Sequence, residues 1–153
     1  MKNQSIIVLE DDPHQSETLK ENLQKAFPNL GIVMLATEWE FRDAIDRMDA
    51  TEIACVILDA MVPWSFPSEN MPVPPKEVQE GGIYLAGKRC ADLVFRKFGA
   101  EVPICVRTVL NQTDAGISDK DHANFQQKAP NNGELNKLLG ELMDMRNRSS
   151  EEL

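Results

Sequence analysis

Three carboxylates and one lysine stand where apolar segments of the sequence end. Glu10 and Asp11 follow the run SIIVL, and Asp59 follows the run CVIL. Lys128 follows a weaker apolar segment, residues 123–127. A carboxylate directly after a buried strand is costly unless it is paired with a cation or bound to a metal. Carboxylate oxygens are the usual ligands of hard divalent cations, so this set predicts a site for Mg²⁺ or Mn²⁺.

The same residues could transfer a phosphoryl group. Aspartate is a known nucleophile towards phosphorus, which makes Asp59 the candidate nucleophile. The cation and Lys128 would offset the charge on the transferred group. Thr108, at the end of the stretch ICVRT, would donate a hydrogen bond to that group. The pattern therefore predicts a phosphoryl-transfer site.

Five apolar segments alternate with segments of helical periodicity. The apolar segments are residues 6–9, 31–36, 53–58, 102–106 and, more weakly, 123–127. Helical periodicity covers residues 13–27, 37–48, 82–98 and 132–146. The second, third and fourth apolar segments are nearly continuous, which is typical of parallel strands buried on both faces. The order predicts a single α/β domain, a doubly wound (βα)5 parallel sheet with its site at the carboxyl ends of the strands.

Two segments depart from this alternation. Residues 64–80 follow the third strand, carry four prolines and have no periodicity. We interpret them as an insertion, and favour a tolerated surface insertion over a dedicated partner-docking loop. Residues 114–122 are polar and contain Gly116, which predicts a short or poorly ordered helix.

Two short patterns predict where helices begin. Asp12 precedes Pro13, a residue favoured at the first helical position, and has capping-box spacing to Gln15. We therefore predict that Asp12 caps the first helix instead of binding metal. Thr37 and Glu40 form a second capping-box pattern, which predicts a helix starting just after Thr37.

Composition and charge limit the classes of partner. The chain has 153 residues, which suits one domain, here placed at residues 1–148 with a tail at 149–153. Its net charge of −9 disfavours direct nucleic-acid binding and anionic membrane surfaces. No apolar stretch approaches the roughly 20 residues that a membrane span needs. The three cysteines lie in apolar stretches, which is typical of reduced core thiols in a cytoplasmic protein.

Four motifs together resemble the response-regulator receiver domains of bacterial two-component signalling. They are IIVLEDDP, VILDAMVP, ICVRT and NFQQKAP, each at a predicted strand end and in the family's order. No single motif is strong alone, but the four in order are strong together, and the resemblance covers essentially the whole chain. The resemblance implies a flavodoxin-like sheet with strand order 2-1-3-4-5.

The resemblance also implies a role for each acidic residue. Asp59 matches the phosphoacceptor of the family. Asp11 corresponds to the direct metal ligand, and Glu10 to the acid that acts through water. The backbone carbonyl of Met61 is similar to the family's third protein ligand.

Further positions match the family's switch. Thr108 matches the hydroxyl that turns towards the phosphate, and Lys128 matches the family's lysine. Phe125 occupies the aromatic switch position. The implied phosphodonor is a histidine kinase or a histidine phosphotransfer protein, and the implied output is a downstream protein target. No DNA-binding domain follows Arg148, so we expect output through protein partners from a stand-alone receiver, a monomer or weak homodimer, unless the chain is a fragment of a longer protein. We expect it to accept a phosphoryl group without being a turnover enzyme.

The sequence departs from the family pattern in two places. The usual Lys-Pro pair is here Lys128-Ala129-Pro130. A cis Lys128–Ala129 bond would cost about 2.5–4 kcal/mol, which predicts a trans bond or a different loop. Met61 and Leu110 occupy positions that flank the attacking water in the family, and neither orients water well. We expect slow self-dephosphorylation.

Three other functions compete with this interpretation. The first is a pseudo-receiver that docks partners without being phosphorylated, which the insertion favours and the set Asp59, Thr108 and Lys128 opposes. The second, an aspartate-nucleophile phosphatase, lacks a general acid because position 61 is Met. The third, a flavin-binding domain, lacks a phosphate-binding loop after the first strand. His14 and His122 are predicted to be solvated and not catalytic.

Overall fold

A five-stranded parallel sheet forms the centre of the computed structural model. The structure describes residues 3–118, 120–129 and 131–151. The strands are β1 (Ser5–Leu9), β2 (Gly31–Leu35), β3 (Ile53–Leu58), β4 (Ile104–Thr108) and β5 (Asn124–Gln127). Their order is β2-β1-β3-β4-β5, which confirms the predicted doubly wound, flavodoxin-like α/β fold.

Five helices cover the two faces of the sheet. They are α1 (Pro13–Ala26), α2 (Glu38–Asp46), α3 (Lys76–Gly81), α4 (Ala86–Phe98) and α5 (Gly133–Glu151). Leucines of α1 and α5 pack with Ile6 and Val8 on one face. Phe41 of α2 and Val94 of α4 pack with the alternate residues of β1 on the other. Because successive strand side chains point to opposite faces, one apolar strand serves both cores.

Burial across the sheet follows strand position. All six residues of β3 are buried, as their continuous apolar character predicts, and all five of β4 are buried, including the polar Arg107 and Thr108. The edge strand β2 is only half-buried along most of its length, although its sequence is equally apolar. Cys55, Cys90 and Cys105 are buried and free. No helix among the described residues is long and apolar enough to cross a membrane.

Both predicted helix starts are confirmed. Asp12 accepts hydrogen bonds from the backbone N–H groups of His14 at 2.9 Å and Gln15 at 3.1 Å. Thr37 accepts one from the Glu40 N–H at 3.2 Å, and α2 begins directly after it. Pro13 opens α1, where its missing N–H costs nothing.

The segment between β4 and β5 is not the predicted short helix. Residues 112–116 form turns, and Gly116 has a φ of 75°, a left-handed conformation that glycine adopts without strain. The Asn111 side chain accepts from the Asp114 N–H, and Asp121 accepts from the Ser118 N–H. These side-chain bonds to the backbone compete with helix formation. The connection from β3 to β4 instead contains two helices, α3 and α4.

The insertion at residues 64–80 is fastened to the domain. The Trp64 Nε1 donates to the Pro72 carbonyl at 2.8 Å, and the Arg42 guanidinium lies 5.4 Å from the Trp64 ring centroid. Helix α3 begins within this segment, where no periodicity was predicted. Its Glu77 pairs with Arg42 at 3.2 Å.

A fully buried carboxylate, Glu38, joins the insertion to the helices beneath it. Its oxygens accept from Arg42 and Arg89, each at 2.8 Å. Arg89 also donates to the Gly82 carbonyl, just past α3. The insertion therefore has a charged anchor on α2 and α4.

Candidate functional site

The predicted acidic residues meet at the carboxyl ends of β1 and β3. The two strands are adjacent, with Leu9 opposite Leu58, so the residues that follow them are brought side by side. The Asp59 N–H donates to the Leu9 carbonyl at 2.9 Å, which extends this pairing by one residue. Carboxylate oxygens of Glu10, Asp11 and Asp59 lie within 4.8 Å of one another. Three converging hard oxygen donors fit Mg²⁺ or Mn²⁺.

Lys128 bridges two of the three carboxylates. Its Nζ lies 2.6 Å from Glu10 Oε1 and 2.9 Å from Asp59 Oδ2. Its own N–H donates to the Thr108 carbonyl at 2.8 Å, which continues the β4–β5 pairing and aims the side chain at the acids. The other Asp59 oxygen accepts from the Met61 N–H at 3.2 Å.

Burial governs the electrostatics of this cluster. Glu10 is 4% exposed and Asp59 is 7% exposed. Burial raises the pKa of Glu10, with Asp59 adding to the shift and Lys128 opposing it. Burial and the Asp59 charge also raise the pKa of Asp11. Burial lowers the pKa of Lys128, but its bonds to Asp59 and Glu10 outweigh that effect, and the net shift is upward. Three acids against one ammonium leave an excess of negative charge for a cation to neutralise.

These acids open into a cavity of about 420 Å³, here called the acid cavity. Its polar wall is formed by Glu10, Asp11, Asp12, Gln15, Asp59 and Lys128. Its apolar rim consists of Met61, Val62, Pro63, Ile83 and Val109. The rim joins the loop after β3, the segment after the insertion and the loop after β4. The carboxylates and this apolar rim thus line the same cavity.

The predicted hydroxyl lies at the end of β4. Thr108 is fully buried, and its Oγ1 accepts a hydrogen bond from the Leu110 N–H at 3.4 Å. Thr108 is absent from the described lining of the acid cavity, whereas Val109 belongs to it. A bond of 3.4 Å is long for a hydroxyl acceptor, so little energy opposes its rearrangement.

The two residues predicted to flank the attacking water lie differently with respect to the acid cavity. Met61 lines the acid cavity, as expected. Leu110 packs against the apolar core instead, and the exposed Val109 takes its place on the rim. Phe125 on β5 lies opposite Val106 and is half-buried against the same core. The position of the Met61 carbonyl relative to the carboxylates stays a prediction.

The Lys128–Ala129 bond and the histidines agree with prediction. No peptide bond within the described segments is cis, so Lys128 and Ala129 are joined by a trans bond. His14 is exposed at the start of α1. His122 is exposed on one side and stacks on the Phe95 ring, with centroids 3.6 Å apart.

Sequence reasoning missed the residue that sets the position of α4. A Cβ built on Gly87 would lie 2.7 Å from the Asp59 carbonyl oxygen and 2.7 Å from Ala60 Cα. The Gly87 N–H donates to the Ala60 carbonyl at 3.0 Å. Only glycine allows this approach, because the atoms it would meet are backbone. The one signal in the sequence was an isolated glycine, Gly87, inside a helical pattern, which indicates close packing at that position.

Comparisons with known proteins give one kind of match. No protein-family model matches the sequence. No curated protein matches it with significance. Solved structures do match the fold over nearly the whole chain. The receiver domain of the sensor histidine kinase PA1611 from Pseudomonas aeruginosa PAO1 is 17% identical with a TM-score of 0.61, covering 93% of this chain and 98% of that chain. A magnesium ion is coordinated in the active-site cleft of that domain.

Two further structures give the same result. A response regulator receiver protein from Sinorhizobium medicae WSM419 is 14% identical with a TM-score of 0.58, covering 94% of this chain and 97% of that chain. The complex of the P1 domain of CheA3 with CheY6 from R. sphaeroides gives a match of 14% identity and a TM-score of 0.56, covering 94% and 99%. Identities this low establish the fold and not the activity. The chain has the fold of response-regulator receiver domains.

Proposed function

We propose that this protein is a response-regulator receiver that accepts a phosphoryl group on Asp59 in a Mg²⁺-dependent reaction. The donor would be the phosphohistidine of a histidine kinase or a histidine phosphotransfer protein. The observation that carries the proposal is the Lys128 Nζ, which lies 2.6 Å from Glu10 and 2.9 Å from Asp59. It sits in a cluster whose three carboxylates fit a divalent cation.

Glu10, Asp11 and Asp59 are the residues that would hold Mg²⁺ or Mn²⁺, with the Met61 carbonyl as a further ligand. When bound, the cation would neutralise part of the negative charge on the carboxylates and the phosphoryl group. Asp11 is the most accessible of the three acids, which suits direct coordination. Glu10 is nearly fully buried and held by Lys128, which suits an indirect role.

Asp59 is the group that reacts. One of its carboxylate oxygens would form the new bond to phosphorus. The bond from phosphorus to the donor histidine nitrogen would break, and that nitrogen would keep the electron pair. The apolar rim of the acid cavity would limit the water that reaches this bond. The Lys128 Nζ is within hydrogen-bonding distance of Asp59 and would remain close enough to bind the oxygens of the transferred group.

Thr108 and Phe125 would convert phosphorylation into a change of surface. The Thr108 hydroxyl would exchange its long bond with the Leu110 N–H for one with a phosphoryl oxygen. Phe125, which is half-buried on the neighbouring strand, would follow inward. Such a change shifts a pre-existing equilibrium between two states. The output surface would be formed by β5, the turns before it and α5, and would contact a downstream protein.

The test is phosphorylation by a small donor. The protein is mixed with Mg²⁺ and acetyl phosphate and then weighed by mass spectrometry. We expect a gain of about 80 Da, the mass of one phosphoryl group. The gain should vanish in Asp59→Asn and with EDTA. An unmodified wild-type protein would instead favour a pseudo-receiver that docks partners without phosphorylation, the alternative that the anchored insertion supports.

A further inference from the structure

A second cavity, of about 410 Å³, adjoins the acid cavity. It lies between the start of α1, the end of β4 and the loop that leads into α5. The two cavities share Gln15, Val109 and Lys128 in their linings. The second cavity also contains Arg107, His14 and Asn132, and no carboxylate among its described lining residues. We call it the basic cavity.

Arg107 is the distinctive residue of the basic cavity. It lies on β4 within an otherwise apolar run and is 8% exposed. Its Nη2 donates to Asn132 Oδ1 at 2.9 Å, and no carboxylate among the described residues pairs with it. Burial lowers the pKa of Arg107, and the more distant Glu10 and Asp59 offset only part of that shift. A buried guanidinium balanced by one neutral amide is an unfavourable arrangement in isolation.

The remaining donors of Arg107 are available to a ligand. A guanidinium carries five N–H groups, and one is used on Asn132. The Nε and Nη1 of Arg107 are not among the fully buried polar atoms without a partner in the described chain, and Arg107 lines the basic cavity. The N–H groups of His14 and Gln15 are already bonded to Asp12, so the start of α1 does not provide the donors. The arginine fork is therefore the recognition group.

The size and charge of the cavity define the class of ligand. Arginine binds phosphate and carboxylate through two parallel hydrogen bonds. Lys128 also lines this cavity, but its charge is already shared between Glu10 and Asp59, so the recognition depends on Arg107. A doubly charged phosphate offers the guanidinium more charge than a carboxylate does. A volume of about 410 Å³ lies in the range of small-molecule sites and exceeds the needs of a single inorganic ion. We propose that the basic cavity binds a small phosphate monoester, with its phosphate on Arg107.

A competing explanation is that Arg107 only balances the field of the neighbouring acids. The two explanations differ in solution. A balancing role requires no ligand, and removing Arg107 would then change only the properties of the acid cavity. A binding role requires a saturable site for phosphate that persists when the acid cavity holds no metal.

The experiment is a titration followed by amide chemical shifts. Wild-type protein in EDTA is titrated with inorganic phosphate and, separately, with glycerol 2-phosphate, with sodium acetate as the carboxylate arm. Without metal the acid cavity repels anions. We expect saturable shifts at His14, Ala129 and Asn132, a millimolar Kd, and tighter binding of glycerol 2-phosphate than of the other two probes.

Variants then assign the site. Arg107→Gln should weaken phosphate binding by about tenfold or more, since it loses both charge and fork. Arg107→Lys keeps the charge but not the fork and should give an intermediate Kd. Arg47→Gln, on the exposed end of α2, is the matched control and should bind as wild type does. The amide spectrum of each variant reports whether it is folded.

Three results would overturn the proposal. The first is no saturable shift at about 50 mM phosphate, far above a millimolar Kd. The second is equal affinity in wild type and a folded Arg107→Gln. The third applies if Arg107→Gln does not fold. It is wild-type affinity in Arg107→Lys, together with shifts confined to residues outside the basic cavity.

Discussion

The acid and basic cavities are neighbours of nearly equal volume with opposite charge. Lys128 lines both cavities, and the charged groups of each cavity are paired differently. In the acid cavity, Glu10 and Asp59 are held by an ammonium at 2.6 and 2.9 Å. In the basic cavity, the one partner of the Arg107 guanidinium among the described residues is the Asn132 amide. Each cavity keeps an excess of charge after its internal bonds are counted, and that excess indicates the sign of the ligand each would bind.

Asp11→Ala should have the largest effect, and it should affect only the acid cavity. It removes the most accessible of the three proposed oxygen ligands, so Mg²⁺-dependent phosphorylation should be abolished. Phosphate-induced shifts at the basic cavity in EDTA should stay unchanged. Intact-mass measurement and the titration described above check the two halves. Phosphorylation at the wild-type rate would mean that Asp11 does not bind the metal.

Lys128→Met tests the shared wall. Removing the Lys128 ammonium leaves the buried carboxylates of Glu10 and Asp59 without a cation. Loss of one partner of a buried ion pair costs about 3–5 kcal/mol of stability. We expect this loss in the free energy of unfolding when it is measured by urea denaturation in the presence of EDTA. Saturating Mg²⁺ should restore much of it, because the metal neutralises the same carboxylates.

Lys97→Met is the control for this measurement, since the Lys97 Nζ bonds to a backbone carbonyl on α2. Its stability should not depend on Mg²⁺. A Lys128→Met protein as stable as wild type in EDTA would show that the acids are protonated or solvated there.

Met61→Gln concerns the rim of the acid cavity alone. A polar side chain at this position can orient an attacking water, which Met cannot. We expect the phosphorylated protein to lose its phosphoryl group several-fold faster than wild type, with wild-type decay slower than seconds. Decay is followed by intact mass after removal of acetyl phosphate. Leu110→Gln should not accelerate decay, because Leu110 packs in the core and not on the rim.

Asp12→Ala should have the smallest effect. Asp12 lines the acid cavity, but its carboxylate is engaged in capping α1. We expect a loss of about 1 kcal/mol in the free energy of unfolding, the usual cost of removing an N-cap. Mg²⁺ affinity should be retained. Loss of metal binding in a folded Asp12→Ala protein would assign this third acid to the metal site after all.

Much of the acid cavity could be predicted because it depends on strand ends. Asp59 follows a run of apolar residues that only a buried strand accommodates, and β1 precedes Glu10 in the same way. Parallel strands bring their carboxyl ends to one edge, so convergence follows from topology. Lys128 was predicted to lie there for the same reason. Its two bonds could not be predicted, because a lysine stem reaches in many directions.

Local details after β4 were less predictable. Val109 and Leu110 are both apolar, and which one faces the cavity depends on how the chain leaves the strand. The missing helix before β5 depends on side chains of Asn111 and Asp121 that bond to the backbone. The ordering of the insertion depends on Glu38, whose partner Arg89 lies 51 residues away along the chain. No local pattern reports such a contact.

The sequence by itself determined the alternating order of elements, the caps at Asp12 and Thr37, and the identity of the acids and the lysine. These follow from periodicity and side-chain chemistry, which act over a few residues. Only the tertiary structure decided that Lys128 bridges Glu10 and Asp59 and that Gly87 brings α4 against Asp59. It also decided that Arg107 lines a cavity with no carboxylate among its described lining residues. Those facts depend on the packing of distant segments, where ångström differences in distance decide which charges are paired.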